Sequence, residues 1–220
     1  MIDGCLLLLA RAEDPAVRVL TQRAPDRVAH ASVEDLSAPG WRYIVGAPER
    51  ARARACGRTI EAERIAAVLC RIGRVSAGDM ETVHADDREF AAAETTAFLR
   101  AWLTQFRGVR CNEPTWMSLA GPRWHPLQWS RLVTQLGIPA SVAARESVTT
   151  IIAGRDVFGT TVPQLIDYSK RIASAVQARS LAIRFVRNRE WWCFHSAEAC
   201  PELDELNADA LLDDLLAGDA

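Results

Sequence analysis

Residues 109–139 show the clearest change in the pattern of apolar and helix-breaking residues; they read VRCNEPTWMSLAGPRWHPLQWSRLVTQLGIP. The short apolar run at 109–112 predicts a strand, and a loop rich in Pro, Gly and Trp follows at 113–126. Pro126 suits the first turn of a helix because its missing backbone N–H is not needed there, and Gly137 suits the position after the last turn. The segment therefore predicts a strand, a long loop and a helix in succession.

On the N-terminal side, short continuous apolar runs alternate with helical periodicity. In the helix at 86–107, apolar residues recur every three or four positions from Phe90 to Phe106, which predicts one buried stripe. Strands that alternate with helices favour a parallel sheet. The predicted elements are strands at 5–10, 28–33, 42–45 and 65–72 and helices at 14–20 and 86–107.

On the C-terminal side the pattern changes to hairpins. The turn at 154–156 separates two strand-like runs, and a second turn at 187–190 separates two more. We expect antiparallel strands here, with helices between and after the two hairpins. The predicted elements are strands at 148–153, 157–162, 181–186 and 191–195 and helices at 165–180 and 210–216.

Charge and cysteine usage narrow the class of protein. The chain has 220 residues and a formal net charge of −2, which gives no electrostatic reason to expect nucleic acid or an anionic membrane as a partner. The basic run from Arg50 to Arg58 alternates with Ala and is flanked by Glu, so we expect a solvated loop or a frayed helix. No signal peptide is recognisable, so six scattered cysteines indicate reduced thiols in a cytoplasmic protein.

Three segments in order resemble the ATP-grasp carboxylate–amine ligases. The segment at 109–139 is similar to the family's strand, loop and Lys-Pro helix. VTTIIAGRDVFG at 148–159 and LAIRFVRNREWWCFHSA at 181–197 resemble two hairpins of the family. The anchors in the first segment are Asn112, Pro114, Pro126, Gln128, Gly137 and Pro139.

The resemblance implies an α/β fold in two parts. Residues 1–108 would form a pre-ATP-grasp-like domain with a parallel sheet. Residues 109–220 would form a shortened α+β ATP-grasp-like lobe with antiparallel strands. The family's nucleotide lid would be missing, because only eight residues, Ser141–Val148, stand where the family has a whole subdomain. Eight residues span at most about 28 Å and cannot build a second jaw.

The resemblance also implies that the metal site has degenerated. The family holds Mg²⁺ with an Asp on one strand and a Glu and an Asn on the next. In this sequence His195 occupies the position of the Glu and Ala197 that of the Asn, and either Arg184 or Ala182 occupies the position of the Asp. His125 replaces the Lys of the Lys-Pro pair. We therefore expect no catalytic residue, no bound metal and no use of ATP or Mg²⁺ as a cofactor.

Other interpretations of these residues remain open. Cys193, His195 and Cys200 suggest zinc ligands, although a fourth ligand is missing. Cys193 beside His195 suggests a nucleophile, although neighbouring positions do not make a dyad. Arg184 and His195 could bind an anion directly in a small-molecule binding protein, or Arg184 could simply pair with Glu190 or Glu198.

Aromatic residues concentrate where the nucleotide would have been. They fill a vacated cleft or form a patch for a partner, and the candidate surface comprises Trp116, Arg123, Trp124, Trp129 and Trp191. We therefore expect a non-catalytic accessory or scaffold protein of a bacterial biosynthetic or peptide-modification pathway, which binds a protein, a peptide or a second copy of itself. The alternative is a ligase component whose nucleotide site another subunit completes.

Overall fold

The computed structural model describes residues 4–141 and 146–217. The strands are β1 (Cys5–Leu9), β2 (Val28–Ala31), β3 (Arg52–Ala55), β4 (Arg58–Glu61), β5 (Ile65–Cys70), β6 (Val109–Cys111), β7 (Ser147–Ala153), β8 (Asp156–Phe158), β9 (Ser180–Asn188) and β10 (Trp191–Glu198). The helices are α1 (Pro15–Arg23), α2 (Val33–Ser37), α3 (Arg88–Gln105), α4 (Pro126–Gln135), α5 (Pro163–Ala175) and α6 (Glu205–Leu216).

The N-terminal sheet is parallel, in the order β2-β1-β5-β6. Leu7 and Leu9 pack on one face with α3 and β3, and Leu6 and Leu8 pack on the other face with α1 and α6. Helices cover both faces, so β1 is apolar at every position instead of alternating. The parallel sheet expected from the apolar runs is confirmed.

The second sheet is antiparallel, in the order β10-β9-β7-β8. One of its faces packs against α4 and α5 in a core that includes Trp129, Leu165, Ile183 and Phe185. The opposite face is more polar. The expected α/β class, a parallel sheet followed by antiparallel strands, is confirmed.

The first sheet uses elements from both parts of the chain. Strand β6 pairs with β5, so the first sheet continues past residue 108, where the sequence suggests a domain boundary. The C-terminal helix α6 packs back on the first sheet, with Ala208 and Leu211 in the same core as Leu6 and Leu8. The first sheet therefore takes a strand and a covering helix from the part of the chain beyond residue 108, whereas all four strands of the second sheet lie within residues 147–198.

Two predictions for residues 42–61 are wrong. The arginine run forms the β3–β4 hairpin, because Ala53 and Ala55 are buried in the core while the alternating Arg52 and Arg54 are half-buried on the other side of the strand. Arg52 forms an ion pair with Glu61, with 2.7 Å between the charged atoms. The strand expected at 42–45 reduces to an isolated bridge at Arg42.

Candidate functional site

A cleft of about 690 Å³ lies between the N-terminal loops and the polar face of the second sheet. One wall comes from the loop that follows β6 and from the segment after β5. The other wall comes from β7, β9 and β10. The residues that define its chemistry are Gly73, Ser118, Arg123 and Trp124 on the first wall and Thr149, Arg184, Ser196 and Glu198 on the second.

The loop after β6 is held firmly although it has no regular structure. Leu119 is fully buried, and its N–H donates to the carbonyl of Gly73 at 2.8 Å. The hydroxyl of Thr115 accepts from the N–H of Ser118 at 3.1 Å. These contacts fix the loop against the first sheet and so position Arg123 at the wall of the cleft.

The sheet wall is organised by cross-strand pairing. Thr149 on β7 lies opposite Arg184 on β9, and Arg184 lies opposite Ser196 on β10. In the next row, Ala182 lies opposite Glu198. Side chains of opposite residues point to the same face with their Cβ atoms about 5 Å apart, so each row crosses the wall of the cleft.

A register shift in β10 decides which residues reach this face. The pairing of β9 with β10 shifts between Phe194 and Ser196, so His195 has no partner on β9. Beyond the shift, Ala197 lies opposite the buried Ile183 and packs against the core of the second sheet, although it also borders the cleft. Ser196 and Glu198 are exposed on the face that forms the cleft wall. Sequence spacing could not reveal these two residues, because one extra residue exchanges the faces of the strand.

His195 points to a neighbouring segment of backbone. Its Nδ1 lies 3.2 Å from the carbonyl oxygen of Ser141. The same segment pairs with β10, because the N–H of Ser141 donates to the carbonyl of Phe194 at 2.9 Å. His195 therefore does not line the cleft beside Arg184, where the sequence places it. Whether His195 and Ala197 are former ligand positions stays a prediction.

The cleft has more positive than negative charge. Arg184 donates to the hydroxyl of Ser147 at 3.2 Å and forms no ion pair with any described residue, so the expected pairing with Glu190 or Glu198 is not formed. Arg123 is exposed and also lacks an ion pair within residues 4–141 and 146–217. Arg71 differs, because its Nε donates to Asp14 at 2.8 Å.

These residues do not fit a magnesium clamp. Mg²⁺ requires several hard oxygen ligands in near-octahedral geometry. Glu198 is the one carboxylate on the cleft wall formed by the described residues, and its row partner is Ala182. No group of three or more His, Cys, Asp or Glu side chains in the described part of the chain could hold a metal ion, which also argues against the zinc interpretation.

The Cys193 thiol is not arranged as a nucleophile. It is 5% exposed and lies 4.0 Å from the carbonyl oxygen of Trp191, while the His195 ring contacts Ser141. Burial raises the pKa of the Cys193 thiol. A thiol with a raised pKa and no base beside it is a poor nucleophile.

His125 caps a helix. Its Nδ1 accepts from the N–H of Leu127 at 3.3 Å, and its own N–H donates to Gln128 Oε1 at 2.9 Å. This reciprocal arrangement satisfies free backbone donors at the start of α4. In this structure the side chain therefore has a structural contact of its own.

The aromatic residues of the candidate surface separate into two groups. Trp129 is 3% exposed and packs at a tilt between Trp124 and Phe194, with ring centroids 4.9 and 5.9 Å away. Its burial corrects its assignment to a partner surface, because the ring is part of the core below the cleft. Trp116 and Trp191 are 77% and 65% exposed and remain accessible.

The fold is that of the ATP-grasp ligases. The macrocyclase MdnC of Microcystis aeruginosa, solved with its precursor peptide MdnA, aligns with a TM-score of 0.76 at 10% identity, over 97% of this chain and 100% of that one. A RiPP-associated ATP-grasp ligase of Chryseobacterium gregarium, solved with ADP and a leader and core peptide, aligns with a TM-score of 0.74 at 12% identity, over 96% of each chain.

A third solved structure extends the likeness. The ATP-grasp ligase PsnB, in complex with a phosphomimetic variant of its minimal precursor, Mg and ADP, aligns with a TM-score of 0.73 at 13% identity, over 98% of each chain. At these identities the likeness establishes the fold. No family model and no curated protein matches the sequence. Within the described residues, no helix combines the length and apolar character that a membrane crossing needs.

Proposed function

We propose that this chain is a non-catalytic protein with the ATP-grasp fold that binds a peptide or a partner protein in a bacterial biosynthetic or peptide-modification pathway. The observation that carries the proposal is the chemistry of the cleft. Arg123 and Arg184 face it without ion-pair partners among the described residues, and Glu198 is the single described carboxylate on its wall. This set suits an anionic or polar ligand and does not suit Mg²⁺ with a nucleotide.

The short connection between α4 and β7 supports the proposal that the chain does not turn over ATP. Helix α4 ends at Gln135 and β7 begins at Ser147. So short a connection leaves no room for a second jaw over the sheet wall. Phosphoryl transfer needs a closed site that excludes water, and an open wall does not supply one.

Peptide binding is supported by the similar structures and by the exposed aromatics. MdnC, the Chryseobacterium ligase and PsnB were each solved with peptides. In this chain, Trp116 stands exposed on the loop that forms one wall of the cleft. An exposed Trp supplies a large apolar contact that many interfaces use as an anchor. We therefore place the peptide across this loop.

Three measurements on the purified chain test the non-catalytic role and self-association. Titration with Mg·ATP is expected to leave the thermal unfolding temperature unchanged, and no ADP is released. Saturable stabilisation that depends on Mg²⁺ would overturn the non-catalytic role and favour a ligase component completed by another subunit. Light scattering on the same sample tells whether the chain binds a second copy of itself.

Binding of a peptide is tested with fluorescently labelled peptides encoded beside the gene. We expect saturable anisotropy that Trp116→Ser weakens and Phe90→Ser leaves unchanged. Phe90 is a matched control because it is 71% exposed but lies on α3, outside the cleft. No binding by any such peptide, together with no partner recovered by crosslinking, would refute the proposal.

A further inference from the structure

The sheet wall of the cleft presents a row of hydrogen-bond donors. Thr149, Arg184 and Ser196 stand side by side on three adjacent strands. All three are exposed on the polar face of the sheet. The guanidinium of Arg184 uses one N–H on Ser147, which leaves the rest of its planar donor set available to a ligand. Two hydroxyls beside a guanidinium make a wall suited to oxygen atoms that carry negative charge.

The loop wall presents a second guanidinium. A Cβ atom at Gly73 would lie 3.8 Å from Arg123 Nη1 and 3.4 Å from Ser118 Oγ, so the Arg123 head group lies over the Gly73 backbone beside this hydroxyl. Ser118 Oγ accepts from the N–H of Ala120 at 3.2 Å, which directs the lone pair to the backbone and leaves the hydroxyl proton to donate.

Little negative charge offsets these arginines. Glu198 lies in the row next to Arg184 and forms no ion pair with it. Asp14 neutralises Arg71, whose Nη1 also donates to the carbonyl of Pro201 at 3.0 Å. The two cations on opposite walls therefore form no ion pair with any described residue, and Glu198 is the one described carboxylate on the cleft wall. The cleft, at about 690 Å³, has the size of a small-ligand site.

From these contacts we infer that Arg123 and Arg184 together bind an oxyanion, a phosphate or a carboxylate group, without a divalent metal. A guanidinium pairs two parallel N–H groups with two oxygens of either anion, and it carries the charge that a metal would otherwise supply. The inference rests on the proposed function, because it concerns the same cleft and names the chemistry of what enters it.

The direct test is calorimetric titration of the full chain at low ionic strength, in buffer from which divalent metal has been removed with a chelating resin. Inorganic pyrophosphate and succinate serve as probes, one for phosphate and one for carboxylate. We expect saturable binding of at least one probe, and the stronger probe identifies the anion. Higher salt is expected to weaken binding because both arginines face solvent.

Single substitutions locate the site. Arg184→Gln and Arg123→Gln are each expected to weaken binding about tenfold or more, the effect of losing a charge-assisted pair. Arg184→Lys keeps the charge but loses the planar fork, so we expect an intermediate affinity. Arg58→Gln on β4 is the matched control, because Arg58 is exposed and lies outside the cleft. Arg123 and Arg184 are both exposed, so the variants are expected to fold.

The outcomes separate this inference from the proposed function. If neither probe binds in the metal-free buffer, or if Arg58→Gln weakens binding as much as Arg184→Gln, the oxyanion site is refuted and the peptide and Mg·ATP tests still stand. If pyrophosphate binds only when Mg²⁺ is added, both the oxyanion site and the non-catalytic role are refuted.

Discussion

Asn112 and Ser180 are joined by two reciprocal hydrogen bonds. The N–H of Ser180 donates to Asn112 Oδ1 at 3.0 Å, and Asn112 Nδ2 donates to the carbonyl of Ser180 at 2.9 Å. The two residues are 68 positions apart, and both are buried. Asn112 directly follows β6 of the first sheet and Ser180 begins β9 of the second, so this pair joins the two sheets.

The first prediction is that Asn112→Ala destabilises the protein strongly. The substitution leaves the part-buried N–H of Arg179 and the buried N–H of Ser180 without the oxygen that accepts from both. Unsatisfied buried donors and the lost amide together cost about 3 kcal/mol. Urea unfolding measures the change, with Asn188→Ala as the control because Asn188 is exposed at the end of β9. Equal effects of the two substitutions would contradict the role given to Asn112.

The second prediction concerns Gly154, in the turn between β7 and β8. Its φ of 62° is in the left-handed region, and a Cβ there would lie 2.4 Å from Asp214 Cβ. Asp214 is 6% exposed at its side chain and accepts from Arg179 at 2.6 Å. Gly154→Ala therefore displaces the buried Asp214 carboxylate from its ion pair with Arg179.

Gly57 supplies the control for that substitution. Its φ is 70°, but nothing lies within 4 Å of the added Cβ. Both variants carry the same backbone strain, about 1 kcal/mol, and only Gly154→Ala adds a steric clash of about 1–3 kcal/mol. The unfolding temperature of Gly154→Ala is expected to be well below that of Gly57→Ala. The opposite ranking would show that the turn moves freely away from α6.

The third prediction is a pH dependence at Asp79. Burial by itself raises the pKa of this carboxyl, but hydrogen bonds from Arg11 and from the N–H and hydroxyl of Ser76 outweigh burial and hold the pKa below its ordinary value of 3.8. A carboxylate with a lowered pKa in the folded state stabilises above the pKa of the unfolded chain. That contribution is lost as the pH falls through the folded pKa.

Asp79→Asn tests this pH dependence. We expect it to lower the free energy of unfolding by about 2 kcal/mol at neutral pH, and the gap from the wild type to shrink below about pH 4. Asp86→Asn is the control, because its side chain is 91% exposed. A gap for Asp79→Asn that stays constant with pH would mean that the carboxylate charge does not matter.

The fourth prediction concerns thiol reactivity. Burial raises the pKa of Cys70 to about 12 and that of Cys200 to about 11, whereas Cys56 is exposed. Near pH 7.5 we expect a maleimide to modify Cys56 first and the other five cysteines on the order of 100-fold more slowly. Intact-mass spectrometry follows the reaction, and Cys56→Ser is expected to remove the fast phase. Fast labelling of Cys193 in the folded protein would revive its interpretation as a nucleophile.

Much of the fold follows from the sequence because local patterns agree with burial. The continuous apolar runs at 5–10 and 65–72 predict β1 and β5, because a strand that is buried on both faces is apolar at nearly every position. The helix at 86–107 is confirmed as α3, but its buried stripe differs from the prediction. Phe90 is 71% exposed, whereas Leu99 and Leu103 are buried. Which face of a helix is covered depends on its neighbours, and the sequence does not give them.

The site is harder to predict for a specific physical reason. Thr149 could have been found, because alternation along β7 places it on the face opposite Thr150, which is buried. Ser196 and Glu198 could not, because the register of β10 shifts at His195, where a distant segment pairs with Phe194. A bulge set by tertiary contacts leaves no local signal, and it moves every following side chain to the other face.

The last prediction tests this register directly. The pairing places Ala182 opposite Glu198, whereas an unshifted strand would place it opposite Ala197. Ala182→Asp therefore sets two carboxylates side by side, and like charges that face each other across strands destabilise by up to about 1 kcal/mol. A divalent cation held between them removes that repulsion, because carboxylate oxygens are its preferred ligands. We expect Mn²⁺ to raise the unfolding temperature of Ala182→Asp and not that of the wild type.

Two variants control for a nonspecific effect of the cation. Ala182→Asn has nearly the same shape without the charge and is expected to be insensitive to Mn²⁺. Combining Ala182→Asp with Glu198→Gln removes the partner carboxylate and is expected to abolish the response. If Mn²⁺ stabilises this double variant as much as Ala182→Asp alone, then Glu198 does not face residue 182. The shifted register would then be wrong, and with it the assignment of Ser196 and Glu198 to the wall of the cleft.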